Sequence, residues 1–164
     1  MSTSVTKRAR ALTVSLAALA TVGILSVGPA EAATTVYVPD NCGYSDAQFF
    51  NGNTCSYALW IYYHQNGAGA FATLFGDVPN YSSTVIGSYN YDYIFYYMAG
   101  TSTDGSSQGV RNNAASVYNT SPALTYVVYY YPAYSGHAQS FAPTPGFVNF
   151  DSTLRNADAS QNWH

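Results

Sequence analysis

Charged side chains are scarce in this sequence. They make up 8% of 164 residues, with a single lysine, Lys7, and a single glutamate, Glu31. Beyond residue 32 the only cations are Arg111 and Arg155, against seven aspartates, a net charge of −5. A nucleic-acid binder needs a basic face to displace counterions from phosphates, and a polybasic membrane clamp needs clustered Lys and Arg; this balance excludes both. No run of about 18 apolar residues follows residue 32, so a membrane-spanning helix is not expected either. Catalytic motifs are missing as well. There is no Gly-x-Ser-x-Gly elbow and no His-Glu-x-x-His metal motif. The seven scattered aspartates form no obvious hydrolytic pair, while His64 and His137 flank turn residues. These lacks point away from an enzyme.

What the chain does have begins with an export signature. Lys7, Arg8 and Arg10 precede the apolar run 11–27, and Ala30-Glu31-Ala32 reads as a small-x-small cleavage site. Residues 1–32 are therefore read as a secretory signal, and 33–164 as one secreted, extracellular domain. The two cysteines, Cys42 and Cys55, both lie in the exported part, where an even count favours a disulfide. It would close a 14-residue loop and add roughly 3 kcal/mol by restricting the unfolded chain. Their spacing matches no zinc site.

Aromatics dominate the exported part, with 17 Tyr, eight Phe and two Trp among 132 residues. Tyr, Phe, Val and Thr suit a half-buried pleated surface, while the Lys and Glu that helical surfaces lean on are gone; an all-β domain follows. Strand-like runs fall at 34–38, 47–50, 57–63, 70–75, 89–98, 116–118, 124–131, 139–142 and 147–150, punctuated by Gly, Pro, Asn and Ser. So many short strands imply a sandwich or barrel. In the run 89–98, Tyr89, Tyr91, Tyr93, Phe95 and Tyr97 share one face. That face serves equally as a platform for sugar rings or as the inner face of a packed sheet. The small, polar stretch 100–109 reads as a mobile loop or a hairpin end.

An internal repeat sharpens the picture. Val110-Arg111-Asn112-Asn113-Ala114-Ala115-Ser116 and Leu154-Arg155-Asn156-Ala157-Asp158-Ala159-Ser160 align in one register, 44 residues apart. Tyr129-x4-Tyr134-x-Gly136 precedes the second copy, and a weaker Tyr62-x4-Gly67-x-Gly69 precedes the first. An aromatic turn followed by an (Asn/Asp)-(Asn/Asp)-x-x-(Ser/Thr) motif, twice over, resembles the βγ-crystallin fold. Over most of 42–164 the chain is more closely similar to the Streptomyces metalloproteinase inhibitor family of exported actinobacterial peptidase inhibitors. The signal peptide, the cysteine before Leu59-Trp60, Asn66-Gly67-Ala68-Gly69, Val78-Pro79-Asn80, Gly109 followed by the first repeat copy, and Arg155 to Ser160 carry that resemblance. It implies a βγ-crystallin-like Greek-key sandwich, with the Tyr-rich 89–98 strand and its Gly/Ser loop inserted in the first key. It also implies a stoichiometric inhibitor whose partner is a secreted protease, a metalloprotease by class. The family's reactive loop, closed by a disulfide in the second half of the chain, has no counterpart here.

Two sets of site residues follow. An inhibitor must present a rigid extended peptide, and the segment tethered by Cys42 and Cys55 offers Gln48, Phe49 and Phe50, of which Phe49 or Phe50 is the bulky apolar residue of the kind thermolysin-like enzymes accept just after the cut bond. The competing reading makes 48–50 a strand with its rings in the core and Asn51-Gly52 its hairpin turn. No cofactor is required; calcium is the candidate ion, with Asn112, Asn113, Ser116, Asn156, Asp158 and Ser160 as oxygen donors. Only Asp158 among them is ionised, and the same residues also suit side-chain to backbone turns. The alternative to the inhibitor is a non-enzymatic, calcium-stabilised structural module or a cell-surface or glycan-binding module.

Overall fold

Four residues on one strand show how the fold is laid out. In Leu59-Trp60-Ile61-Tyr62 successive side chains point to opposite faces; Leu59 and Ile61 are fully buried in the main core, which leaves the aromatic pair on the outer face. The computed structural model describes residues 32–41 and 57–164, and Ala32–His164 forms one compact unit. Ten strands are present among the described residues: β1 (Thr34–Val38), β2 (Leu59–Tyr62), β3 (Phe71–Leu74), β4 (Thr84–Ile86), β5 (Tyr89–Tyr93), β6 (Ser116–Asn119), β7 (Tyr126–Tyr131), β8 (Ser135–Phe141), β9 (Val148–Asn149) and β10 (Ser160–Trp163). They form three sheets, ordered β3-β2-β6-β9, β10-β7-β8 and β1-β5-β4. The protein is all-β, as its composition leads one to expect. The segments 84–86 and 160–163 are strands that the pattern of apolar runs does not reveal, and β8 begins four residues before the expected 139.

Two units repeat within this arrangement. The antiparallel pair β2/β3 corresponds to β7/β8, and β6 corresponds to β10: Leu59 faces Asn119 across β2/β6 as Tyr126 faces Trp163 across β7/β10. Each unit gives its third extended segment to the other. β9 of the second unit pairs with β6 of the first, with Val148 opposite Val117, while Val78 of the first bridges to Gln161 on β10. The exchange is mirrored in backbone bonds, the Phe150 N–H to the Ala115 carbonyl and the Tyr81 N–H to the Ala159 carbonyl, both 2.9 Å. The result is two Greek keys, each incomplete without the other.

From Phe150 to Leu154 the second unit makes one tight turn; between the corresponding Tyr81 and Val110 the first unit carries β4, β5 and a long loop. This insertion pairs β5 parallel to β1 and antiparallel to β4. Its aromatic alternation is a packing device. Tyr91, Tyr93 and Phe95 are 8%, 2% and 0% exposed and lie in the main core, so the middle of the aromatic face is sheet interior, while Tyr89 and Tyr97 at its two ends are about half exposed. Past Tyr93 the chain leaves β4, and Tyr96 bridges to Phe71 at the edge of β3. The 100–109 stretch takes the hairpin-end form and is fastened down rather than loose. Phe95 and Ser107 to Gln108 exchange backbone bonds at 2.8–2.9 Å, and the Asp104 carbonyl accepts the Ala70 N–H at 2.8 Å. Gly105 lies flat against the Tyr63 ring.

The two hairpin turns solve one packing problem in two ways. In the second unit the Tyr129 and Tyr134 rings meet edge to face at 6.1 Å. In the first, Gly67 stands where Tyr134 would be, and Phe147 fills the space from the other unit, edge to face with Tyr62 at 5.2 Å. A Cβ on Gly67 would lie 2.3 Å from that ring, and its φ of +70° strains any L-residue. Gly67→Ala is expected to cost about 2–4 kcal/mol, strain and overpacking together. Gly87→Ala, with a φ of +61° and open space around its Cβ, should cost only the strain, about 1 kcal/mol. Urea unfolding of both variants checks this; equal losses would show that Phe147 yields freely.

Candidate functional site

The two repeat copies meet at the pseudo-twofold between the units. Asn112 and Asn156 adopt left-handed φ values of 62° and 56°, a conformation asparagine tolerates better than most residues. The Asn112 N–H donates to the Asp158 carbonyl, and the Asn156 N–H to the Ala114 carbonyl, each at 2.8 Å. Asn113 Nδ2 donates to the carbonyls of Gly109 and Arg111 at 2.9 and 3.2 Å. Each motif serine latches a hairpin turn. Ser116 Oγ donates to the His64 carbonyl at 2.6 Å and accepts from the Gly67 N–H at 3.0 Å. Ser160 Oγ donates to the Tyr131 carbonyl at 2.7 Å and accepts from the Tyr134 N–H at 3.1 Å. Both serines are fully buried.

Asp158 is the one ionisable member of this set, and it also lies wholly inside the fold. Its Oδ1 accepts the Ala114 N–H at 3.0 Å; its Oδ2 is buried without a partner. Burial pushes its pKa up to about 7, against the opposing pull of the Ala114 amide, its own and Asn113's amides, and the Arg111 charge. Arg111 Nη1 donates to Ser82 Oγ at 3.1 Å, and its Nε is buried without a partner. A calcium ion takes six to eight converging oxygens, with carboxylates free to turn toward it. Here the serine hydroxyls are committed to backbone groups under separate turns and the carboxyl is enclosed, so the six residues as folded do not fit that ion.

The imidazoles of His64 and His137 each find a carboxylate. His64 Nε2 lies 2.6 Å from Asp104 Oδ2, and His137 Nε2 lies 2.7 Å from Asp151 Oδ2, both pairs exposed. Asp151 Oδ1 also caps the following turn, accepting the N–H groups of Thr153 and Leu154 at 2.9 Å. The His137 bond, then the Leu154 amide, hold the Asp151 pKa below its usual value. These are fasteners: the first ties the inserted loop to the hairpin turn, the second ties β8 to the 151–154 turn. Among the described residues no serine hydroxyl is bonded to either ring, and no group of three His, Cys, Asp or Glu side chains is placed to hold a metal.

Among the described residues, a recessed aromatic feature lies elsewhere, on the outer face of the β3-β2-β6-β9 sheet. Trp60 and Phe71 stack in parallel, 5.2 Å apart with a 9° interplanar angle. Tyr62 and Tyr96 lean on Phe71 at 5.6 and 4.8 Å. A cleft of about 340 Å³ opens here between the sheet, the Gly67-Ala68-Gly69 turn and the inserted Met98, Thr101 and Ser102. Tyr62's pKa is pushed up to about 12, first by burial and then by the neighbouring Tyr118 and Tyr96 hydroxyls. The indole N–H of Trp60 is buried with no acceptor. Reading the sequence for motifs misses this cleft. The signal for it is β2 itself, a strand apolar on both faces, one of which must face away from the main core. Cys42, Cys55, Gln48, Phe49 and Phe50 lie outside the described residues.

No family model and no curated protein sequence matches the chain. Among solved structures it is similar to one from work on the evolution of the eye-lens βγ-crystallin domain fold, with 15% sequence identity and a TM-score of 0.46 over 70% of this chain and 92% of that one.

Asp158 binds its proton more tightly folded than unfolded, so its contribution is full below about pH 4 and declines as pH rises through 7. On this account the protein loses about 2–3 kcal/mol between pH 5 and pH 8. Asp158→Asn keeps an oxygen for the Ala114 N–H and should remove most of that slope in urea unfolding at the two pH values. A variant with the wild-type slope would place the titration elsewhere. Millimolar calcium is expected to leave the thermal midpoint unchanged; a rise of several degrees would show that the motif opens to admit the ion.

Proposed function

We propose that the protein is an exported, non-enzymatic recognition module that presents a preformed aromatic cleft to polymers or surfaces outside the cell. The cleft on the four-stranded sheet is the observation that carries this reading. Its rings are held by mutual stacking and its walls by backbone hydrogen bonds, so little freedom is lost on binding. The leader-like residues 1–32 and the low charge of the rest support export and argue against an electrostatic partner.

A second reading keeps the peptidase inhibitor, with Gln48, Phe49 and Phe50 as bait and a secreted metalloprotease as partner. It is favoured by the flanks of the 42–56 segment, both of which are fixed to the frame. Asn41 exchanges two side-chain bonds with the Phe75 backbone, at 2.6 and 2.9 Å, and the Tyr57 carbonyl accepts the Tyr126 hydroxyl at 2.7 Å. A segment with fixed ends is what a substrate-like inhibitor needs.

One pair of assays separates the readings. The purified protein is sedimented with chitin, cellulose and peptidoglycan, and titrated against a thermolysin-like protease, a subtilisin and papain. Retention on at least one polymer with no loss of protease activity is the expected result. Stoichiometric loss of the metalloprotease activity with no retention would transfer the function to the inhibitor, and a blank in both assays would overturn both readings.

A further inference from the structure

The geometry points to a neutral saccharide as the ligand of the Trp60–Phe71 cleft, an assignment that rests on the recognition-module reading and names what the cleft takes. Three observations carry it. First, the lining holds aromatic rings, glycines, a thioether and hydroxyls, and no ionised side chain. A ligand with a full charge finds no partner there, and an anion would also meet the negative charge of the chain. Second, Trp60 lines the cleft with part of its surface exposed, while Phe71, stacked nearly parallel to it, is buried. The electron-rich face of an aromatic ring attracts the weakly positive C–H face of a pyranose, which brings its hydroxyls to the edges of the contact.

Third, hydroxyl-bearing residues line the cleft beside the rings. Ser102 Oγ accepts the Asp104 N–H at 3.2 Å and retains its own hydrogen to donate. A volume of about 340 Å³ sits at the small end of the range for ligand sites, matching one or two sugar rings rather than an extended peptide. The inserted loop forms the far wall, and the His64–Asp104 bond and the Ala70-to-Asp104 backbone bond hold it in place.

The test follows amide and indole NMR signals of the purified protein during titration with chitotriose, cellotriose and, as a charged control, trigalacturonate. The neutral sugars are expected to shift the Trp60 indole, Gly67 to Gly69 and Ser102 signals at millimolar concentration or below, and the acidic one to leave them in place. Met98→Trp, a change at an exposed wall position that keeps the frame intact, should weaken binding about tenfold or more by filling the mouth. Ser102→Ala should weaken it several-fold. Shifts confined to another surface, equal response to the acidic sugar, or unaltered affinity in Met98→Trp would overturn the assignment. Retention on a polymer with unaltered cleft signals would refute the saccharide assignment while leaving the recognition reading standing. Sugar binding at the cleft without retention on any polymer would do the reverse.

Discussion

Everything in this fold depends on two hydrogen bonds that are images of each other, Asn112 N–H to Asp158 carbonyl and Asn156 N–H to Ala114 carbonyl. They join the two repeat copies back to back, and only residues that accept a left-handed backbone can make them. On either side, Ser116 and Ser160 reach outward to lock a hairpin turn apiece. The exchanged segments, β9 and Val78, are then held by strands of the opposite unit. A pattern that looks like an ion-binding motif thus works as the joint between two halves, with Asp158 enclosed where its charge is disfavoured.

The insertion turns this joint-and-sheet frame into something with a recess. Without β4, β5 and the loop after them, the outer face of the four-stranded sheet would be an open aromatic surface. Tyr96 docks at the edge of β3, Gly105 seats on Tyr63, and Asp104 fastens to His64, which together place Met98 and Ser102 opposite Trp60. The same segment shields the core with Tyr91, Tyr93 and Phe95. One stretch of chain, absent from the second unit, therefore supplies both additional core and the wall of the candidate site.

Much of this was legible in the residues, and the rest was hidden for identifiable reasons. The 44-residue repeat, the aromatic turns and the all-β character are written in short-range pattern, and the structure displays each of them. β10 was not legible because its Ser-Gln-Asn-Trp sequence is polar. Gln161 is fully buried yet satisfied, donating to the Leu74 and Gly76 carbonyls and accepting from the Tyr81 hydroxyl, partners about 80 residues away that no local window contains. β8 is largely exposed, so it shows no apolar alternation. For Gly67, the residue that replaces the expected tyrosine ring is Phe147 from the other unit, a substitution in space and not in sequence. The cleft escaped a motif search because its parts, Trp60, Phe71 and Met98, read singly as ordinary core residues.

Strand exchange also dictates when this chain can become a protein. β2, β3 and β6 lie within the first three quarters of the chain, but their sheet lacks its β9 edge, and Val78 has no β10 to rest on, until the last strands arrive. Neither half holds a finished core, so early pairing brings little reward and the costly long-range closures come together at the end. A polypeptide with that topology stays pliable while it is being made and sets only once, all at once. The joint that makes the fold also postpones it until the whole length of both repeats is available to close it.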